Sequence, residues 1–198
     1  MRAAPGVGPL MSSSRAAIIA VVGDDAVAHM DQYFENDGAD YQLDLEGMIH
    51  EVPSAKANYE RELADALQFA ARLEPGTYDL RSTRASGGYN TRDETTNWYF
   101  AVGGYSYWGQ GRVTIVADPQ GRRRYDLAWE FRCYDRYNWD NGKQVTLPVV
   151  NIVITDHFMG EFHRCGLARE YDLKGSVRRQ IRWEGAPPAA SVALGGGR

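Results

Sequence analysis

Apolar positions along this chain follow two periods, with the change at Thr77. Between Ala57 and Leu73 they fall at Tyr59, Leu63, Ala66, Leu67, Ala70 and Leu73, the spacing of a helix with one buried stripe. Ser54 after Pro53 offers an N-cap, and Glu74-Pro75-Gly76 ends the helix. A further helix is expected within residues 16–34. From Thr77 the period becomes two. Trp98, Phe100 and Val102 alternate with Asn97, Tyr99 and Ala101, and Val113, Ile115 and Ala117 continue the pattern. Leu127, Trp129, Phe131 and Cys133 make one face of a long strand, with Glu130 and Arg132 on the other. Turn signals at Gly103-Gly104, Gly109-Gln110-Gly111, Asp118-Pro119-Gln120-Gly121 and Asp140-Asn141-Gly142 separate the runs and imply antiparallel neighbours. A strand over Val145–Ile154 leads into a helix from Asp156 to about Glu170, capped by Thr155 or Asp156. Its apolar stripe is Phe158, Met159, Phe162 and Cys165, and residues 173–183 return as a strand ending on Trp183. The fold class is α+β: an N-terminal helical part, then an antiparallel sheet of about five strands with one helix packed near its C-terminal end.

Composition sets the boundaries. Residues 1–14 (MRAAPGVGPLMSSS) and 185–198 (GAPPAASVALGGGR) are rich in Gly, Pro and small residues, which predicts disorder. One α+β domain is expected over 15–184, helical over 15–75 and sheet over 76–184. The 198 residues suffice for one well-cored domain, and 43% hydrophobic with 24% charged residues fits a soluble globular protein. Twelve Tyr and five Trp favour a β-rich core and aromatic-lined surfaces. A net charge of −4 leaves no basic stripe for a nucleic-acid backbone, so no nucleic-acid partner is expected. Arg122-Arg123-Arg124 reads as a solvated turn. The run Ala16–Val22 is far shorter than the roughly 20 residues of a spanning helix, and no small-residue cleavage site marks it as a signal peptide. Cys133 and Cys165 form no CxxC pair and read as buried free thiols, with one bridge between them as the alternative in an oxidising compartment.

Candidate chemistry concentrates between Tyr134 and Glu170. Asp135 lies at the end of an aromatic strand, followed by Tyr137, Asn138, Trp139 and Asp140. Closely spaced oxygen ligands suit a hard divalent cation, Mg²⁺ or Ca²⁺, with Asp135 and Asp140 as ligands. Such a metal would polarise a phosphoryl oxygen or activate water. Asp140 also belongs to an Asp-Asn-Gly turn, where Asp serves without a metal. His163 and Arg164 supply an imidazole for acid–base work on a leaving group and a guanidinium for phosphate charge. The alternative for His163 is a packed, hydrogen-bonded ring. Asp156 lies about 10 Å from it along the helix axis and is the better cap. Arg84 and Arg92 flank a Gly-rich segment that would either cradle phosphate or simply join strands, and it matches neither a P-loop nor a dinucleotide fingerprint. Arg84, Arg92, Tyr137 and Trp139 are the candidate substrate-binding residues, and Asp135, His163 and Arg164 the candidate catalytic ones. No GxSxG or HExxH motif is present. Glu130, Asp135 and Glu161 are carboxylates for glycoside cleavage if the fold brings them together.

The stretch Asn97–Trp183, with NWYFAVGGYSYWGQG, DRYNWDNGK and GEFHRCGLAREYDLKGS, resembles the C-terminal toxin domains of bacterial polymorphic and contact-delivered effectors. Among these it is similar to enzymes that attack lipid II, the lipid-linked cell-wall precursor. The colicin M family carries Asp-x-Tyr-Asp followed shortly by His-Arg. Asp135-Arg136-Tyr137 matches its first positions, but Asn138 stands next, the second acid comes at Asp140, and His163-Arg164 lies further on. The helical and sheet parts also resemble the layout of the lipid II phosphatase of the LXG toxins, which has an Asp-rich, calcium-binding cleft. The resemblance implies a secreted antibacterial effector that cleaves lipid II at its pyrophosphate linkage, in the periplasm or outside the cytoplasmic membrane of the target cell. It implies a divalent cation held by Asp135 and Asp140, a proton handled by His163, and pyrophosphate bound by Arg164. An immunity protein is the implied partner, together with contact to a membrane surface without a span. Two other classes fit the residues. One is a non-catalytic module gripping a glycan or protein through an aromatic face of Tyr99, Tyr105, Tyr107, Trp108 and Trp139. The other is a glycan-cleaving hydrolase with paired carboxylates.

Overall fold

The computed structural model describes residues 7–139, 144–147 and 152–191, with side chains described over 15–88, 90–139 and 155–191. Helices α1 (Val7–Val22), α2 (Asp24–Glu35), α3 (Leu45–Glu51) and α4 (Pro53–Ala71) come first, with the short strand β1 (Tyr41–Gln42) between α2 and α3. Then follow β2 (Gly76–Arg81), β3 (Ala85–Tyr89), α5 (Thr96–Ala101), β4 (Gly104–Ala117) and β5 (Arg123–Tyr137). The chain ends with β6 (Gln144–Leu147), β7 (Ile152–Thr155), α6 (Asp156–Arg164) and β8 (Tyr171–Glu184). The main sheet has six strands in the order β1-β8-β5-β4-β2, with β3 also on β4, and β6 and β7 form a separate pair. The α+β class expected from the periodicity is the class observed.

Two compact units divide the chain. The first comprises Met1–Tyr41, Tyr89–Gly103 and Arg136–Leu173, and the second Gln42–Gly88, Gly104–Asp135 and Lys174–Arg198. In the second unit, α4 lays Tyr59, Leu63 and Leu67 under the sheet, all buried. Tyr59 meets Trp129 and Phe131 edge to face at 5.3 and 5.5 Å. The alternation read from β5 holds, since Leu127, Trp129, Phe131 and Cys133 are all buried. In the first unit the centre is aromatic and hydrogen-bonded. Tyr33 Oη donates to Met159 O (2.8 Å), Tyr171 Oη to His29 O (2.7 Å), and His29 Nδ1 to Ala101 O (2.7 Å).

Several expected elements differ. Trp98 to Val102 is not a strand. Thr95 caps a helix there, its Oγ1 accepting from Trp98 N (3.2 Å), and Trp98 and Ala101 turn inward one helical turn apart. Gly109-Gln110-Gly111 is not a turn but the middle of β4, paired with Phe131, Glu130 and Trp129. Glycine is needed because a Cβ on Gly111 would lie 2.3 Å from Ala128 O. The single strand expected over Val145–Ile154 is two, β6 and β7, paired antiparallel with Val145 opposite Ile154. Pro148, which lacks a ladder donor, lies between them in sequence, outside the described residues. The Gly-rich segment after Arg84 is β3 rather than a loop. Val52, not Ser54, caps α4, with Pro53 at the first helical position. The stripe expected on α6 is only partly buried: Met159 is covered, whereas Phe158 and Cys165 are exposed. Cys133 is buried, and both thiols are free.

Candidate functional site

On β5 the inward row continues from Phe131 and Cys133 to Asp135 and Tyr137. Burial pushes the Cys133 thiol up, the charge of Asp135 adds to that push, and the charge of Arg84 opposes it. Asp135 and Arg84 therefore act on one buried atom within the second unit. Arg84 is exposed, and its side chain is engaged by its neighbours. Its Nε donates to Ser106 Oγ (2.8 Å), and its guanidinium lies 4.4 Å from the Tyr134 ring centroid and 5.3 Å from that of Trp108.

Tyr137, Trp139, His163 and Arg164 fall in the first unit, and here the structure does gather residues. Tyr137 is buried and stacked on Tyr171 at 4.9 Å, and Trp139 meets it edge to face at 5.8 Å. Tyr33 packs against both, at 5.9 and 6.1 Å. Helix α6 comes close enough to Trp139 that a Cβ on Gly160 would lie 3.1 Å from Trp139 O. Trp139 Nε1 is buried without a hydrogen-bond partner among the described residues. Tyr33 is pushed up to about 12, chiefly by burial and then by the charge of Glu170, against a hydrogen bond with the His163 backbone and the charge of Arg164.

His163 is half-buried in the last turn of α6. Its Nδ1 accepts from Glu170 N at 3.5 Å, the long end of the range. In the neutral ring that bond leaves the proton on Nε2. Arg164 is held along the helix surface, its Nε donating to Glu161 Oε1 (3.0 Å) and an Nη to His157 O (3.2 Å). Arg92 is exposed, with its guanidinium 5.6 Å from the Phe100 ring, and no contact among the described residues joins it to His163 or Arg164. Asp140 lies outside the described residues.

Sequence reading passed over three participants. Tyr33 and His29 sit in α2, whose period marks them only as core, and Glu170 follows α6 without a motif. Arg136, inside the Asp135-Arg136-Tyr137 motif, pairs with Asp172 (2.9 Å) and Glu170 (3.7 Å).

The alternative constellations do not assemble as expected. Tyr105 and Tyr107 are buried under the sheet, hydrogen-bonded to Asn58 (3.0 Å) and Arg61 (2.7 Å), so no exposed aromatic face forms with Trp108. Glu130 and Asp135 lie on opposite faces of β5, about 17 Å apart along the strand, too far for a glycosidase pair. Glu130 is held below the usual carboxylate range. Burial pushes it upward, but hydrogen bonds from Arg178 and Gln110 and the charges of Arg132 and Arg178 outweigh that push. Among the described residues no group of three or more His, Cys, Asp or Glu side chains is placed to hold a metal ion. Of the two expected ligands only Asp135 is described.

Three solved structures are similar to this chain at low identity. Pectocin M2 has 12% identity and a TM-score of 0.33, the match covering 82% of this chain and 50% of that one. PaeM, a colicin M-like bacteriocin produced by Pseudomonas aeruginosa, has 14% identity and a TM-score of 0.39, covering 83% and 53%. A truncated syringacin M, a bacteriocin from Pseudomonas syringae pv. tomato, has 13% identity and a TM-score of 0.35, covering 82% and 60%. The matched part thus spans between half and three-fifths of those chains. Likeness at this level carries no residue role across. No protein-family model and no curated protein matches the chain.

Proposed function

We propose that this protein is an antibacterial toxin that hydrolyses the pyrophosphate linkage of a lipid-linked cell-wall precursor, lipid II, outside the cytoplasmic membrane of the target cell. The supporting observation is the surface of the first unit around α6. Phe34, Phe162 and Phe158 form a row of edge-to-face rings, 5.4 and 5.2 Å between centroids. Phe34 is 44% exposed, Phe158 56% and the nearby Leu167 62%. Exposed aromatic and aliphatic groups of this kind suit the headgroup level of a bilayer. Phe158 and Phe162 of this row lie on α6, the helix that carries His163, so the candidate proton donor shares a helix with a lipid-compatible surface. Among the described residues no helix is long and apolar enough to cross a membrane.

In this reading water adds to a phosphorus of the pyrophosphate while a P–O bond of the linkage breaks, the proton lost by the water leaves to solvent, and His163, carrying a proton on each ring nitrogen, gives the one on Nε2 to the departing oxygen and is reprotonated from solvent. Arg164 exchanges Glu161 for phosphate oxygens, one charge-assisted partner for another. Asp135 and Asp140 are the proposed ligands of a divalent cation, which would polarise a phosphoryl oxygen. An immunity protein that blocks this surface is the proposed partner.

Producing the chain in a host bacterium, with and without an added signal peptide, tests the reading. Growth should stop only with the exported form and resume with His163→Ala, and purified protein should release phosphate products from lipid II. Phe34→Ser with Phe158→Ser should weaken binding to phospholipid vesicles while leaving the melting temperature unchanged. A folded His163→Ala protein that still kills would remove His163 as donor. Folded wild type that is harmless in both compartments would overturn the toxin reading. Cleavage unaffected by chelator would release Asp135 and Asp140 from metal binding.

A further inference from the structure

The second unit carries an open concavity of ≈ 720 Å³ on the outer face of its sheet, opposite the side covered by α4. Alternation decides what lines it. Asp79 and Arg81 on β2, Gln110 and Arg112 on β4, Ala128 and Glu130 on β5, and Arg178 and Gln180 on β8 all point to this face. The small side chain of Ala128, next to Gly111, leaves the space open, and long planar side chains rim it.

These planar groups are already fixed. Arg112 forks onto Asp79 with bonds of 2.7 and 3.2 Å. Glu130, only 15% exposed as a side chain, accepts from Arg178 (3.0 Å) and Gln110 (2.9 Å). Gln110 Oε1 in turn accepts from Trp108 Nε1 (3.3 Å). The Arg81 guanidinium makes no hydrogen bond or ion pair among the described residues, so the rim holds a surplus cation although the whole chain carries a net charge of −4.

We propose that this concavity is a binding site for a carboxylated oligosaccharide. Three features select that ligand. The rim offers acceptors as well as donors, which a hydroxyl-rich chain answers in both directions, whereas a polyphosphate would set its oxygens against Asp79 and Glu130. The surplus guanidinium of Arg81 pairs with a carboxylate in the fork geometry that suits it. Nucleobases find no platform, because Trp108, the indole on this face, has Arg84 and Arg132 over its ring at 5.3 and 5.6 Å. Prior fixing of the side chains limits the ordering cost of binding. The site is independent of the lipid II reading, since it uses none of the residues assigned there.

The test is retention of the full chain on an array of uronic-acid oligosaccharides, their neutral counterparts and inorganic polyphosphate. Wild type should bind a uronic-acid oligosaccharide at least about tenfold more tightly than its neutral counterpart. Arg81→Ala should lose about tenfold through the lost ion pair. Ala128→Phe, which fills the floor without changing charge, should abolish binding, with unchanged melting for both variants. No retained uronic-acid chain would overturn the proposal. Binding that is equal for polyphosphate, or that survives Ala128→Phe, would also overturn it by showing simple charge attraction.

Discussion

At the scale of single residues, His29 couples the first unit to pH. Its ring is fully buried and makes one hydrogen bond through Nδ1, with Nε2 unpartnered among the described residues. Burial lowers its pKa from 6.5 to about 4, against the opposing hydrogen bond to Ala101 O. Between those values the unfolded chain binds more protons than the folded one. The contribution is therefore fully present above about pH 6.5 and is lost as pH falls toward 4, on the order of 1 kcal/mol per pH unit. Urea unfolding at pH 7 and pH 5 should show the loss, and His29→Gln should flatten it. Parallel profiles for the two proteins would place the titration elsewhere. The candidate site was legible at this scale only as residue types. Asp135, His163 and Arg164 stand out in the sequence because acid, imidazole and guanidinium recur near aromatic residues. That Glu161 holds Arg164, or that the amide of Glu170 orients His163, depends on which side chains a helix end brings together, and no local motif records it.

At the scale of elements, legibility followed how different the two faces of an element are. β5 and α4 each have a dry side and a wet side, so period two and the helical stripe were visible directly. α5 failed because a six-residue helix shows barely more than one turn of period, and its aromatic run imitates alternation. Gly109-Gln110-Gly111 in β4 imitates a turn because closely spaced glycines usually mark one, whereas Gly111 is there for backbone approach. Gly111→Ala should therefore lower stability by about 1–3 kcal/mol in urea unfolding, because the β4–β5 ladder must shift to admit the methyl group. A change below about 0.5 kcal/mol would mean that Ala128 O moves aside freely.

For the whole molecule, each compact unit is built from three stretches separated in sequence, so no composition shift or linker marks a boundary. The second unit needs residues from both ends of its range. Leu43 N donates to Lys174 O (2.9 Å), and a Cβ on Gly175 would lie 2.9 Å from the Leu45 Cβ. A fragment of residues 42–135 lacks β8 and leaves that flank of β5 unpaired. It should give a poorly dispersed NMR spectrum and no cooperative melt. A sharp melt would show that β2, β4, β5 and α4 suffice.

The two sulfurs differ in a way that matters beyond folding. Cys133 is sealed under the sheet, with burial holding its thiol protonated, while Cys165 stands exposed at the residue that closes α6. It directly follows His163 and Arg164 in the chain. The native sequence thus carries one addressable attachment point beside its candidate proton donor, where a fluorophore or spin label would report on whatever approaches that helix, with no engineered cysteine.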